Sequence, residues 1–229
     1  MQKIVIDFEN AKDNIIFQLV NTEQNREMLK RMPHRDFQDL SIIYKWALGI
    51  YPEGMDTARV DNALSARLNL NEEQLFVLAA ENTRKILPPR VTPIDELLRE
   101  MGVKIIEEMP LNQTMWVISN DQRMYGATSM LYEDKLHTLA QKTGTDLYIL
   151  PSSVHEVIAV SAMRNPEELA KIVSEINTTQ VPLEERLSNQ VYYYDKDLRK
   201  LTMATSQNGL SQADADMAAA QEEEIGPML

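Results

Sequence analysis

The sequence predicts an α+β fold: a mixed, largely antiparallel sheet with helices packed on it, followed by a disordered acidic C-terminal tail. Three observations predict it. Runs rich in β-branched and aromatic residues, such as Ile42-Ile43-Tyr44 and Val157-Ile158-Ala159-Val160, read as strands. Stretches near 71–86 and 165–176 carry apolar residues at helical spacing behind explicit caps. After Ala204 the apolar pattern dissolves into Ser, Gln, Asp, Ala and Glu, which cannot repay the entropy of ordering.

The elements follow in order. Ile15 to Val20 is the first strand, and Thr22 to Lys30 reads as a short helix stopped near Pro33. Phe37 to Leu48 reads as one long strand. The turn Tyr51-Pro52-Glu53-Gly54 leads it into a short strand at Thr57–Val60 that pairs back. Asn71 with Gln74 forms a capping box. Leu75, Leu78, Ala79 and Ile86 continue that helix until Pro88-Pro89. A second helix starts with Thr92 as cap and Pro93 at the first helical position, and Gly102 stops it.

Met115–Ser119 and Met124–Ala127 read as a hairpin around Asn120-Asp121-Gln122-Arg123. Tyr132, Leu136, Leu139, Ala140 and Thr143 trace one helix face that Gly144 ends. Asp146–Leu150 and Glu156–Ala162 are strands, and the consecutive apolar residues of the second predict burial on both faces. Asn165-Pro166-Glu167-Glu168 opens a helix whose stripe is Leu169, Ile172, Val173 and Ile176. Val191–Tyr194 and Leu198–Ala204 close as a hairpin. No Gly/Ser/Pro-rich linker divides the chain, so residues 1–204 are expected to form a single domain and 205–229 the tail.

Composition narrows the function classes. The chain has no cysteine, which removes disulfides, thiolate metal sites and cysteine nucleophiles. No stretch approaches a membrane span, and the N-terminus has no signal-peptide pattern, so the cytoplasm is the expected location and no membrane partner is expected. The net charge of −12 makes nucleic acid an unfavoured partner; the tail's five acids leave about −7 on the body. None of the seven glycines falls in a phosphate-loop pattern, and no cofactor is predicted. The three histidines are scattered, so no metal site is predicted either.

Several phrases carry a family resemblance: Asp7-Phe8-Glu9-Asn10, Met32-Pro33-His34-Arg35-Asp36-Phe37, Asp146 through Val157, and Leu187 through Asp195. Over about residues 6–200 the chain resembles an uncharacterised bacterial domain-of-unknown-function family from anaerobic gut bacteria. The resemblance implies a further N-terminal segment in other members, ahead of Asp7, and implies no activity.

Three groups are candidate sites. The loop Ser152, Ser153, His155, Glu156 joins two strands and holds hydroxyls, an imidazole and a carboxylate, the parts of a nucleophile and its base. The plain alternative is that the serines satisfy turn backbone. Arg31, His34 and Arg35 lie in the single basic cluster, a candidate contact for an acidic partner. Tyr192 and Tyr194 share one face of a strand and are candidates for a stacking surface or for core. Together these readings favour a non-enzymatic cytoplasmic binding or protein-interaction module with an unknown protein or small-molecule partner. The alternative is a hydrolase-like enzyme built on the Ser152/Ser153/His155/Glu156 loop.

Overall fold

The structure is a computed structural model that describes residues 11–51, 54–105 and 109–204. The expected tail at 205–229, the Asp7 to Asn10 phrase and the Pro52-Glu53 turn centre lie outside the described residues. The fold is α+β, and every strand pairing is antiparallel.

The first sheet is built on one long strand. β1 (Ile15–Asn21) pairs along one side of β3 (Leu40–Tyr51), with Phe17 opposite Tyr44. The other side of β3 is shared end to end by β2 (His34–Phe37) and β4 (Gly54–Arg59). The expected single strand over 37–48 is thus two. Gln38 adopts φ +56° and lets the chain reverse in two residues, so Phe37 faces Leu40. A glutamine in that conformation gives no sequence signal. The expected helix over 22–30 shrinks to one turn, α1 (Arg26–Leu29). Asn21 Oδ1 accepts from Gln24 N and Asn25 Nδ2 donates to Asn21 O, local bonds that compete with a helix start.

Two helices follow. α2 (Asn62–Leu68) was not expected from the sequence; Asp61 caps it by accepting from Leu64 N. α3 (Glu72–Ile86) starts at the predicted box, with Asn71 and Gln74 bonded reciprocally at 2.9 Å. It covers the open edge of β1. Thr83 Oγ1 accepts from Phe17 N at 2.8 Å, and Asn82 Nδ2 donates to Ile15 O at 3.1 Å. An edge that would otherwise present free backbone groups is closed by helix side chains.

The second sheet runs β10-β9-β7-β8-β6-β5. Its edge strand β5 (Pro89–Pro93) corrects the expected helix cap: Thr92 is a buried strand residue opposite Val117, and α4 (Ile94–Glu100) begins two residues later. Two prolines fit a strand whose outer edge needs no donors. β6 (Trp116–Asn120) is as expected, but its partner at 124–127 is not a strand. Asn120 Oδ1 accepts from Gln122 N and Met124 N, Arg123 and Tyr125 take φ of +53° and +52°, and a 3-10 turn (Gly126–Leu131) follows. β6 pairs β8 (Val157–Ser161) instead. α5 (Glu133–Thr143) ends at Gly144, φ +73°, and precedes β7 (Leu147–Leu150). α6 (Pro166–Thr179) is capped by Asn165, and β9 (Tyr192–Asp195) closes with β10 (Lys200–Met203).

Alternation sorts the first sheet's side chains. Phe17, Leu19, Ile42, Tyr44 and Trp46 enter one apolar cluster with Trp116, Ile118, Ile149, Ala159, Tyr192 and Tyr194 of the second sheet. The opposite parity, Gln18, Val20, Ile43, Lys45 and Ala47, faces away from that cluster. That outer face carries the site described next.

Candidate functional site

The Ser-His loop is assembled differently from a nucleophile and its base. Ser153 Oγ accepts the backbone N–H of His155 at 3.1 Å, and Ser152 donates its own N–H to Leu150 O at 3.1 Å. Both are turn contacts. The His155 ring turns away from the serines. It stacks on Tyr125 with centroids 6.3 Å apart and planes 15° apart, and its Nε2 lies 3.5 Å from Glu185 Oε1. Its Nδ1 is buried without a hydrogen-bond partner. Glu156 points elsewhere, into a cavity on the second sheet. Two adjacent residues thus serve opposite sides of the loop, and the four candidates do not converge.

Tyr125 leads to the most unusual charge in the molecule. Its hydroxyl meets Lys45 Nζ at 2.6 Å, and Lys45 also donates to Thr57 Oγ1 at 3.1 Å. The ammonium stands 4.2 Å from the Tyr125 ring centroid, a cation–π contact. Lys45 is 9% exposed, and no carboxylate of the described residues pairs with it. Burial opposes ionisation of the Tyr125 phenol, but the Lys45 and Thr57 hydrogen bonds and the charge of Arg59 outweigh it and lower its pKa. The strand register sets Arg59 directly opposite Lys45 on the same face. Arg59 makes no ion pair among the described residues and lines two adjoining recesses. One, of about 420 Å³, lies over Gln18, Val20 and Ile43 and extends to Glu184; the other, of about 450 Å³, includes Arg31 and Asp61.

Elsewhere the arginines are mostly engaged. Arg35, a predicted site residue, grips Glu72 through Nε at 3.0 Å and a terminal nitrogen at 2.9 Å, also reaches Glu73, and lies 3.8 Å over the Phe76 ring. His34 Nδ1 is 3.0 Å from Met32 O. Of the basic cluster only Arg31 reaches the recess beside Arg59.

The three tyrosines of β9 each donate to a carboxylate: Tyr192 to Asp39 at 2.5 Å, Tyr193 to Asp146 at 2.7 Å, and Tyr194 to Glu133 at 2.5 Å. Tyr192 and Tyr194 are fully buried, so this face is core rather than a stacking surface. Burial first, then the carboxylates, push all three phenols up.

These pairings set an acid dependence. Burial would raise the Glu72 pKa, but Arg35 and Tyr44, whose hydroxyl donates to it at 2.6 Å, bring it below its ordinary 4.5. Asp146 is lowered below 3.8 against the same burial by Lys196 and Tyr193, and Glu133 below 4.5 chiefly by Arg199. A carboxylate with a depressed native pKa binds fewer protons folded than unfolded. Its contribution is present above the unfolded pKa and is lost as pH falls through the native one. Urea midpoints are therefore expected to hold from neutrality to about pH 5 and fall below that, with a shallower fall in Glu72→Gln. A midpoint that rises on acidification would contradict the assignment.

Sequence reasoning missed Lys45, Tyr125 and Arg59. The available signal was a lone lysine inside the apolar run Ile42-Ile43-Tyr44-Lys45-Trp46-Ala47-Leu48, which demands a polar partner wherever that strand is buried.

Among the described residues, no group of three or more His, Asp or Glu side chains is placed to hold a metal ion, and no helix is long and apolar enough to cross a membrane. No curated protein and no solved structure matches the chain. Residues 1–196, which hold every side chain of the Lys45–Tyr125–His155 array, match the family described as "Family of unknown function (DUF5688)", and the chain belongs to that family.

Proposed function

We propose that the protein is a non-enzymatic cytoplasmic binding module that takes an acidic group, a carboxylate or a phosphate, at the Lys45–Arg59 patch on the outer face of the first sheet. One observation carries the reading: Lys45 is buried and, among the described residues, meets no carboxylate, its charge resting on Tyr125 Oη, the Tyr125 ring and Thr57 Oγ1. A buried charge is costly unless an opposite charge meets it. Arg59 stands opposite, without an ion pair among the described residues, at the rim of a 420 Å³ recess. Arg59 lines the recess and Lys45 is its register partner on the same sheet face, two like charges that favour an anion there; Gln18 and Asn25 add neutral hydrogen-bonding capacity to the lining, and Glu184 stands at its far side. The non-enzymatic reading draws support from the loop serine, whose hydroxyl caps its own turn. The cytoplasmic placement rests on the cysteine-free composition. We take residues 1–204 to act as a single unit.

Calorimetric titration with inorganic phosphate and with succinate tests this. Saturable binding of at least one is expected, weakened at least about tenfold in Arg59→Gln, since a charge-assisted hydrogen bond contributes about 1.5–3 kcal/mol. Equal binding by Arg59→Gln, or no binding of either anion, would overturn the reading.

A further inference from the structure

A second cavity lies on the second sheet, beneath α4. Its volume is about 220 Å³. The floor is the sheet face turned away from the shared apolar cluster. Arg90 pairs with Ser119 and Thr92 with Val117 across β5 and β6, and Val117 pairs with Ile158 across β6 and β8. Continuing that register by one step on each strand sets Glu156 beside Ser119. The floor therefore has a largely apolar row, Thr92, Val117 and Ile158, and a polar row, Arg90, Ser119 and Glu156. The roof is apolar: Ile94, Leu97, Leu98 and Met101.

The polar groups are not equivalent. Arg90 bonds Glu96 at 3.4 Å and Glu100 at 3.2 Å, and Arg123 bonds Glu100 at 3.2 Å. Ser119 donates to His155 O at 2.8 Å. Both arginines at the mouth are thus satisfied by α4. Glu156 has no hydrogen-bond or ion-pair partner among the described residues. Arg90 sits two strands away, about 10 Å at ordinary strand spacing, and is drawn to the helix. Arg90 and Arg123 are offset by Glu96 and Glu100 of α4, outside the lining, which leaves Glu156 as the lining charge without a partner among the described residues. That group is a carboxylate, an acceptor only.

We propose that this cavity binds a small protonated amine with an apolar body, the ammonium at Glu156 and the body between the α4 leucines and the Val117–Ile158 row. A carboxylate at the end of an apolar slot selects a cation over a neutral or anionic ligand of the same shape, because only the cation neutralises it on desolvation. This site is separate from the Lys45–Arg59 patch: it lies on the other sheet, takes the opposite charge, and stands or falls without it.

The test is a methyl-NMR titration of the full chain with phenethylammonium chloride, with sodium phenylacetate as the charge-reversed probe of similar shape. Saturable shifts confined to the methyls of Ile94, Leu97, Leu98, Val117 and Ile158 are expected for the amine, at least about tenfold weaker in Glu156→Gln, with phenylacetate weaker than the amine in the wild type. Glu156 makes no side-chain bond among the described residues, so Glu156→Gln should fold normally, and an unchanged spectrum away from the cavity checks that. Leu97→Phe, which fills the slot from the roof, should also weaken the amine. Absence of shifts at the methyls of these five residues, equal amine affinity in Glu156→Gln, or stronger binding of phenylacetate would each overturn the proposal.

Discussion

Gly126→Ala is expected to be among the most destabilising single-methyl substitutions in the protein. A Cβ at Gly126 would stand 2.1 Å from Ser119 Oγ and 2.3 Å from the His155 carbonyl oxygen, with Asn120 N at 3.0 Å. None of these is the loose end of a flexible chain. The Ser119 hydroxyl is bonded to that same carbonyl, and Ala127 N donates to Val154 O at 3.2 Å, so the 3-10 turn is stitched to the loop at the point of contact. The methyl must push the end of β6 away from residues 154–155. Overpacking costs about 1–3 kcal/mol, and the lost Ser119 bond and its stranded acceptor add about 1–2 kcal/mol. The expected total is roughly 3–4 kcal/mol, on the order of 10 °C in melting temperature for a chain of this size. Adding Ser119→Ala should restore only a part, because the carbonyl contact persists. Full rescue by Ser119→Ala would show that the carbonyl yields easily.

Asp39→Ala is the second large effect. Asp39 sits in the two-residue turn between β2 and β3, and its carboxylate accepts from Ser188 Oγ and Tyr192 Oη, both at 2.5 Å. These partners belong to the second sheet and the loop leading to it. Asn21 Nδ2 adds a parallel tie to Leu187 O at 2.6 Å. Tyr192 is 0% exposed, so removal of the carboxylate strands a phenol in the core. Each charge-assisted bond contributes about 1.5–3 kcal/mol, partly offset by relief of the carboxylate's own desolvation. A loss of roughly 3 kcal/mol is expected. In a double-mutant cycle with Tyr192→Phe the two changes should couple by about 1–2 kcal/mol. Strict additivity would show that the clasp holds nothing.

What the sequence disclosed and what it concealed divide along one physical line. The starts of α3 and α6 were legible because Asn71, Gln74 and Asn165 bond within three residues of themselves. The stop at Gly144 was legible because glycine is the ordinary occupant of a left-handed cap. Gln38, Arg123 and Tyr125 reach the same backbone region with side chains that give no warning, so the hairpin at 37–40 and the turn at 120–126 were misassigned. β5 was hidden because Pro93 suits both a helix start and the end of an edge strand; the pairing with β6 decides. The site was hidden by sequence distance. Lys45 and Tyr125 are eighty positions apart, and only the folded sheet puts Arg59 beside them. His155 was singled out for a partnership with serine that the turn does not make.

The central physical question is why β3 buries a lysine that no carboxylate of the described residues meets. If Lys45 is kept for a ligand, it is a burden on the empty fold, and an apolar residue of similar length should relieve it. The direct measurement is the melting temperature of wild type and Lys45→Met, each with and without inorganic phosphate. The predicted result is a variant at least as stable as wild type in plain buffer, together with a phosphate-dependent rise in wild type that Lys45→Met lacks. A variant that melts several degrees lower while keeping the full response to phosphate would contradict it, and would make Lys45 a structural prop for Tyr125.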